Sequence, residues 1–199
     1  ADSLYDAINP ADVAATNNDD TDTAGITVGA ISDSGTTTEA GGTATFTVVL
    51  DTQPSANVVI GDSSSDTTEG TVSPSSLTFT SENWSTPQTV TVTGANDTLD
   101  DGDVTYSVVT AAATSSDSAY NTLNAADVSS ITNTDNDSSG VTVSTISGNT
   151  TEAGGTATYT VVLTAQPTGN VEIDSASNDS TEGTVTTGGT LTFTTSNWN

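Results

Sequence analysis

The sequence has no lysine, arginine, histidine, cysteine or methionine. Against that, 26 aspartates and glutamates give a formal net charge of -26 over 199 residues. A chain without cations has nothing to neutralise phosphates, so nucleic acid and anionic lipid headgroups are disfavoured as partners. No salt bridge can form within it. Carboxylates that the fold gathers must therefore be solvated, protonated or bound to a metal ion. The lack of cysteine removes disulfides and thiolate metal sites. No apolar stretch is long enough to span a membrane and no charged-then-apolar leader of the secretory type stands in the sequence, which is expected to lack its natural ends. Without His, Cys or Lys, the nucleophile and general base of most enzymes are missing, and a glycosidase-like carboxylate pair is the one catalytic chemistry left. Glu39 and Glu69 recur as Glu152 and Glu182, which suits a module repeated for structure, so the chain is expected not to be an enzyme.

Only 32% of the residues are hydrophobic, and low hydrophobicity with high net charge is a common signature of disorder. The apolar residues nevertheless alternate with polar ones, as in Ala44-Thr45-Phe46-Thr47-Val48 and Thr89-Val90-Thr91-Val92-Thr93. That period of two marks half-buried strands and predicts a folded, all-β protein. Ser and Thr make up roughly a third of the chain, a level also found in glycosylated stalks. Here Thr alternates with Val, Phe and Leu, as outward-facing strand residues do.

One unit occurs more than once. Gly25-Ile26-Thr27-Val28 returns as Gly140-Val141-Thr142-Val143, and the segment 37–45 returns at 150–158. Residues 64–72 return at 177–185, and 5–13 match 120–128. The period is about 115 residues. The expected organisation is the tail of a preceding repeat at 1–24, a complete repeat at 25–139 and the first part of another at 140–199, cut from a longer array. Within the complete repeat, strands are expected near 25–31, 43–51, 57–62, 76–80, 88–94, 104–111 and 127–133, with a loop and one helical turn at 112–126. Seven short strands suit an immunoglobulin-like two-sheet sandwich. Trp84 and Trp198 share one repeat position and are expected to be packing residues rather than sugar platforms.

Acidic residues concentrate at turns: Glu39, then Asp66 and Glu69, then Asp97, Asp100, Asp101 and Asp103, and finally Asp135 and Asp137. Hard cations such as calcium take six to eight oxygen ligands, best supplied by converging loops. Aspartate is also common in turns for hydrogen-bonding reasons of its own, and on composition the two readings stand level. Two carboxylates held about 5 Å apart repel by about 3 kcal/mol at an effective dielectric near 20, and a bound cation reverses that sign.

An ordered set of segments tips the balance. Thr38 to Phe46, Gly70-Thr71-Val72 with Leu77-Thr78-Phe79, Asp97 to Asp103 leading into Tyr106-Ser107-Val108, and Thr134-Asp135-Asn136-Asp137 together resemble the Calx-beta repeat family. That family is known from regulatory domains of sodium/calcium exchangers and from large bacterial surface proteins. The resemblance implies tandem Calx-beta-type sandwiches with calcium (Ca2+) ligands at Glu39, Asp66, Asp97, Asp100, Asp103, Asp135 and Asp137. It also implies partial sites at Asp20 and Asp22, and at Glu152 and Asp179. The sequence departs from the family at Ala95-Asn96-Asp97 and at Asn136, and fewer charges imply fewer or weaker ions. The expected function is a structural module of an extracellular or cell-surface fibre or adhesin, its partners being calcium ions and neighbouring repeats. The alternative is a surface module that binds glycans or another ligand, or is itself glycosylated.

Overall fold

A computed structural model describes residues 3–6, 8–16 and 22–199. The fold is almost entirely β. Among the described residues, fourteen strands run in the order β1 Ile26–Val28, β2 Thr36–Thr38, β3 Thr43–Leu50, β4 Val58–Ser64, β5 Gly70–Ser73, β6 Ser76–Phe79, β7 Gln88–Gly94, β8 Val104–Thr110, β9 Thr114–Ser115, β10 Val128–Thr134, β11 Val141–Val143, β12 Val161–Leu163, β13 Val171–Asp174 and β14 Thr190–Phe193. A 3-10 turn at Asp33–Gly35 precedes β2. Among the described residues before Ile26 there is no strand.

The first ten strands form two sheets, β1-β3-β7-β5 and β2-β10-β8-β4-β6, with β9 beside β4. All pairings are antiparallel except β2 with β10, which is parallel. The Thr/Val alternation explains why the sheets face each other. In β3, Ala44, Phe46, Val48 and Leu50 point inward and the threonines between them do not. Val90 and Val92 of β7 do the same, with Phe46 opposite Val90 and Ala44 opposite Val92. From the other sheet, Val58, Ile60, Leu77, Phe79, Tyr106, Val108 and Ile131 meet them in one apolar cluster. Two sheets enclosing one core is the arrangement of a β-sandwich.

Seven strands lie where the alternation puts them; β2, β5 and β9 are additional. The segment 112–126 contains β9 and a single turn in which the Tyr120 and Asn121 amides both donate to the Asp117 carbonyl, the Asn121 bond having the spacing of one helical turn. Tyr120 enters the core, and its hydroxyl donates to the Thr52 carbonyl at 2.7 Å. Trp84 is half-buried against the same core.

Residues 140–199 form two separate two-stranded ribbons, β11-β12 and β13-β14. Several local hydrogen bonds of the sandwich have counterparts there. The Leu50 amide donates to the Trp84 carbonyl and the Leu163 amide to that of Trp198. The Thr45 amide donates to the Ser32 hydroxyl at 2.9 Å, and that of Thr158 to Ser147 at 2.8 Å. Thr80 and Thr194 each donate a backbone amide at 2.6 Å to the side chain of the asparagine three residues on, Asn83 and Asn197.

Candidate metal centre

Four chain segments meet at one end of the two-sheet sandwich: the turn after β2, the connection leading into β5, the β7–β8 loop, and the residues following β10. The parallel pairing of β2 with β10 brings the first and last together, with Thr38 opposite Thr134. Glu39 and Asp135 immediately follow that pair in sequence. The Glu39 amide donates to the Thr134 carbonyl at 3.1 Å. Antiparallel pairing of β5 with β7 sets Gly70 opposite Gly94, so Glu69 falls beside the start of the acidic loop. The Ala95 amide then donates to the Glu69 carbonyl at 2.9 Å.

Two glycines allow this convergence. A β-carbon at Gly70 would overlap the Tyr106 hydroxyl, and one at Gly94 would overlap the Thr38 carbonyl oxygen. Beneath the loops lies a buried polar network. Thr37 and Tyr106 share a hydroxyl hydrogen bond of 3.1 Å, and the Thr37 hydroxyl also lies 3.2 Å from the Asn133 side-chain oxygen, to which it donates. The Asn133 side-chain amide donates to the Ala95 carbonyl at 2.9 Å and to the Glu69 carboxylate at 3.4 Å.

Two carboxylate triads stand on this platform: Glu39, Asp135 and Asp137, and Glu69, Asp97 and Asp101. In each, one oxygen per carboxylate lies within 4.8 Å of the others. Both glutamates are buried, Glu39 at 5% exposure and Glu69 at 7%. Burial pushes the Glu39 carboxyl above the usual range; the Asn136 amide, 3.0 Å away, pulls it down, and Asp135, Asp97 and Asp137 push it up again. Burial likewise raises Glu69; Asn133 lowers it, while Asp101, Asp66 and Asp97 add to the rise. Asp101 is raised by burial, then by Asp97 and Asp135. Asp97 thus acts on both glutamates, and the triads form one electrostatic neighbourhood.

The structure brings together four of the seven ligands that the family resemblance implies: Glu39, Asp135 and Asp137 in one triad and Asp97 in the other. Asp66, Asp100 and Asp103 lie outside both triads and are exposed. Asp66 accepts the Thr68 hydroxyl at 2.6 Å and its amide at 3.0 Å, which hold its carboxyl below the usual range. Asp100 accepts the hydroxyl and amide of Ser139, which lower its carboxyl in the same way. Asp103 accepts the Asp135 amide at 3.1 Å and so positions a triad member. The triad members that the resemblance did not select are Glu69 and Asp101. Asp101 belongs to the acidic run, and Glu69 immediately precedes the strand that buries Gly70. In the flanking segments Asp22, Glu152 and Asp179 are exposed, and Asp20 lies outside the described residues.

The acidic end also forms the junction with residues 140–199. Asp135 accepts the Gly102 amide at 2.8 Å through one oxygen and the Asp137 amide at 2.7 Å through the other. Asp100 ties the β7–β8 loop to Ser139, and the Gln166 amide donates to the Thr98 carbonyl at 2.7 Å. The donor set is all oxygen, anionic and drawn from several loops, which fits a hard divalent cation and offers nothing to a soft one. Compared with known proteins, the chain matches no family model and no curated protein.

Proposed function

We propose that the chain is a calcium-braced structural module: tandem, immunoglobulin-like β-sandwich units of Calx-beta type from an extracellular or cell-surface fibre or adhesin, without enzymatic activity. The observation that carries this reading is the pair of carboxylate triads in a chain with no cation of its own. Like charges held that close, two of them buried, oppose folding unless a counter-ion joins them. Glu39, Asp135 and Asp137 would hold one calcium ion, and Glu69, Asp97 and Asp101 a second. Backbone carbonyls and water would complete the six to eight oxygens that calcium prefers.

Because Asp135 and Asp137 lie where one unit leads into the next, the ion would fix the angle between sandwiches as well as stabilise each. Extracellular modules bind calcium at roughly 0.1–1 mM, so millimolar calcium adds on the order of 1 kcal/mol per site at the tight end. Summed along an array, that decides between stiff and slack. Calorimetric titration of the full chain with calcium tests the proposal. Saturable binding in the sub-millimolar to millimolar range, weakened by E39Q and by D97N, is expected; no heat beyond dilution would contradict it.

A further inference from the structure

Within the buried polar network of the sandwich, a nucleophile faces an acyl group. Thr37 of β2 and Asn133 of β10 stand directly opposite each other in the parallel pair and are 0% and 1% exposed. The Thr37 hydroxyl lies 3.2 Å from the Asn133 side-chain oxygen. Tyr106 of β8 holds the same hydroxyl at 3.1 Å. The Glu69 carboxylate lies 3.4 Å from the Asn133 side-chain nitrogen. Hydroxyl, amide and carboxylate thus meet at one buried point, drawn from three separate segments of the chain.

We propose that Thr37 and Asn133 condense into an intramolecular ester that joins β2 to β10 and releases ammonia. The Thr37 oxygen bonds to the side-chain carbonyl carbon of Asn133, and the carbon–nitrogen bond breaks with its electron pair remaining on nitrogen. The Thr37 proton passes to that nitrogen, which leaves as ammonia. Nothing is oxidised or reduced, and no co-reactant is needed. Glu69, hydrogen-bonded to the departing nitrogen, carries the proton and ends in the state in which it began. Tyr106 positions the attacking oxygen. A free threonine hydroxyl is a weak nucleophile and an amide a poor acyl donor, so geometry has to supply the advantage. Attack needs reacting atoms about 3–3.5 Å apart, and the parallel register keeps the hydroxyl and the amide in that neighbourhood. Burial also keeps out the water that would hydrolyse the product. The bond would join residues 96 apart in sequence. Tension along the chain would then cross directly from Thr37 to Asn133, leaving the strands between them unloaded.

Mass spectrometry of the full chain tests the ester. The folded protein is held in chelator until its mass stops changing and is then denatured and measured. The expected mass is that of the sequence less one ammonia. Digestion after aspartate and glutamate should yield residues 34–39 covalently joined to residues 128–135. T37V should abolish both signals, and T37S, which keeps the hydroxyl, should retain them. E69Q should slow the loss of ammonia about 100-fold, and an unchanged rate would overturn the role given to Glu69. A chain that stays at its full sequence mass would overturn the proposal. So would a loss of ammonia that survives in T37V, because an asparagine closing on its own backbone loses the same mass. Glu69 is also one of the proposed calcium ligands, but the mass of the denatured chain is independent of bound ions. A negative result here therefore leaves the calcium reading standing.

Discussion

Asp62 lies on the core face of β4 at 4% exposure, and neither carboxylate oxygen has a hydrogen-bond partner. No basic group exists to pair with it, and burial raises its carboxyl to about 6 from 3.8. The folded protein therefore holds this proton more tightly than the unfolded chain does. The contribution to stability is fully present below pH 3.8 and is lost as the pH rises through about 6. That difference corresponds to about 3 kcal/mol. D62N, and more so D62V, should raise the melting temperature at pH 7.5 and flatten its fall between pH 4 and 7, as followed by circular dichroism. An unchanged pH profile would mean that the Asp62 carboxylate is satisfied in solution.

At the scale of elements, the strands that were legible are those where Val, Phe or Leu alternates with Thr over five or more residues, as in β3 and β7. There the side-chain pattern alone fixes which face is buried. The short strands β2, Thr36–Thr38, and β5, Gly70–Ser73, carry almost no such pattern. Tertiary contacts decide them: the parallel pairing with β10, and Tyr106 lying against Gly70. The acidic site was legible to the same degree. Turns rich in aspartate, with Glu69 and Asp101 among their acids, stood out, but which carboxylates converge depends on the pairing of β2 with β10 and of β5 with β7, so the grouping of Glu69 and Asp101 with Asp97 came only with the fold. Gly94 shows how tightly that convergence is set. G94A drives a methyl group into the Thr38 carbonyl, and the cost of such overpacking is about 1–3 kcal/mol. Urea unfolding should show it, whereas G148A, where a β-carbon would have no neighbour within 4 Å, should change stability much less.

For the whole molecule, charge of one sign makes stability a question of which cation is available. The Glu39 and Glu69 carboxyls are both raised by burial, so in chelator their contribution falls as the pH rises past the ordinary glutamate range. Calcium competes with protons for the same oxygens and should reduce that fall, giving melting curves at pH 5 and pH 8 that lie closer together with calcium than without. Sodium chloride screens exposed charges over about 10 Å at 0.1 M and should reproduce only part of the effect. Calcium bracing can be read from the melting temperature of the full chain in chelator and in millimolar calcium, beside D135N/D137N. Bracing by calcium should give a rise on the order of 5 °C, blunted in the double variant. A melting temperature indifferent to calcium, or an equal rise in the variant, would contradict it.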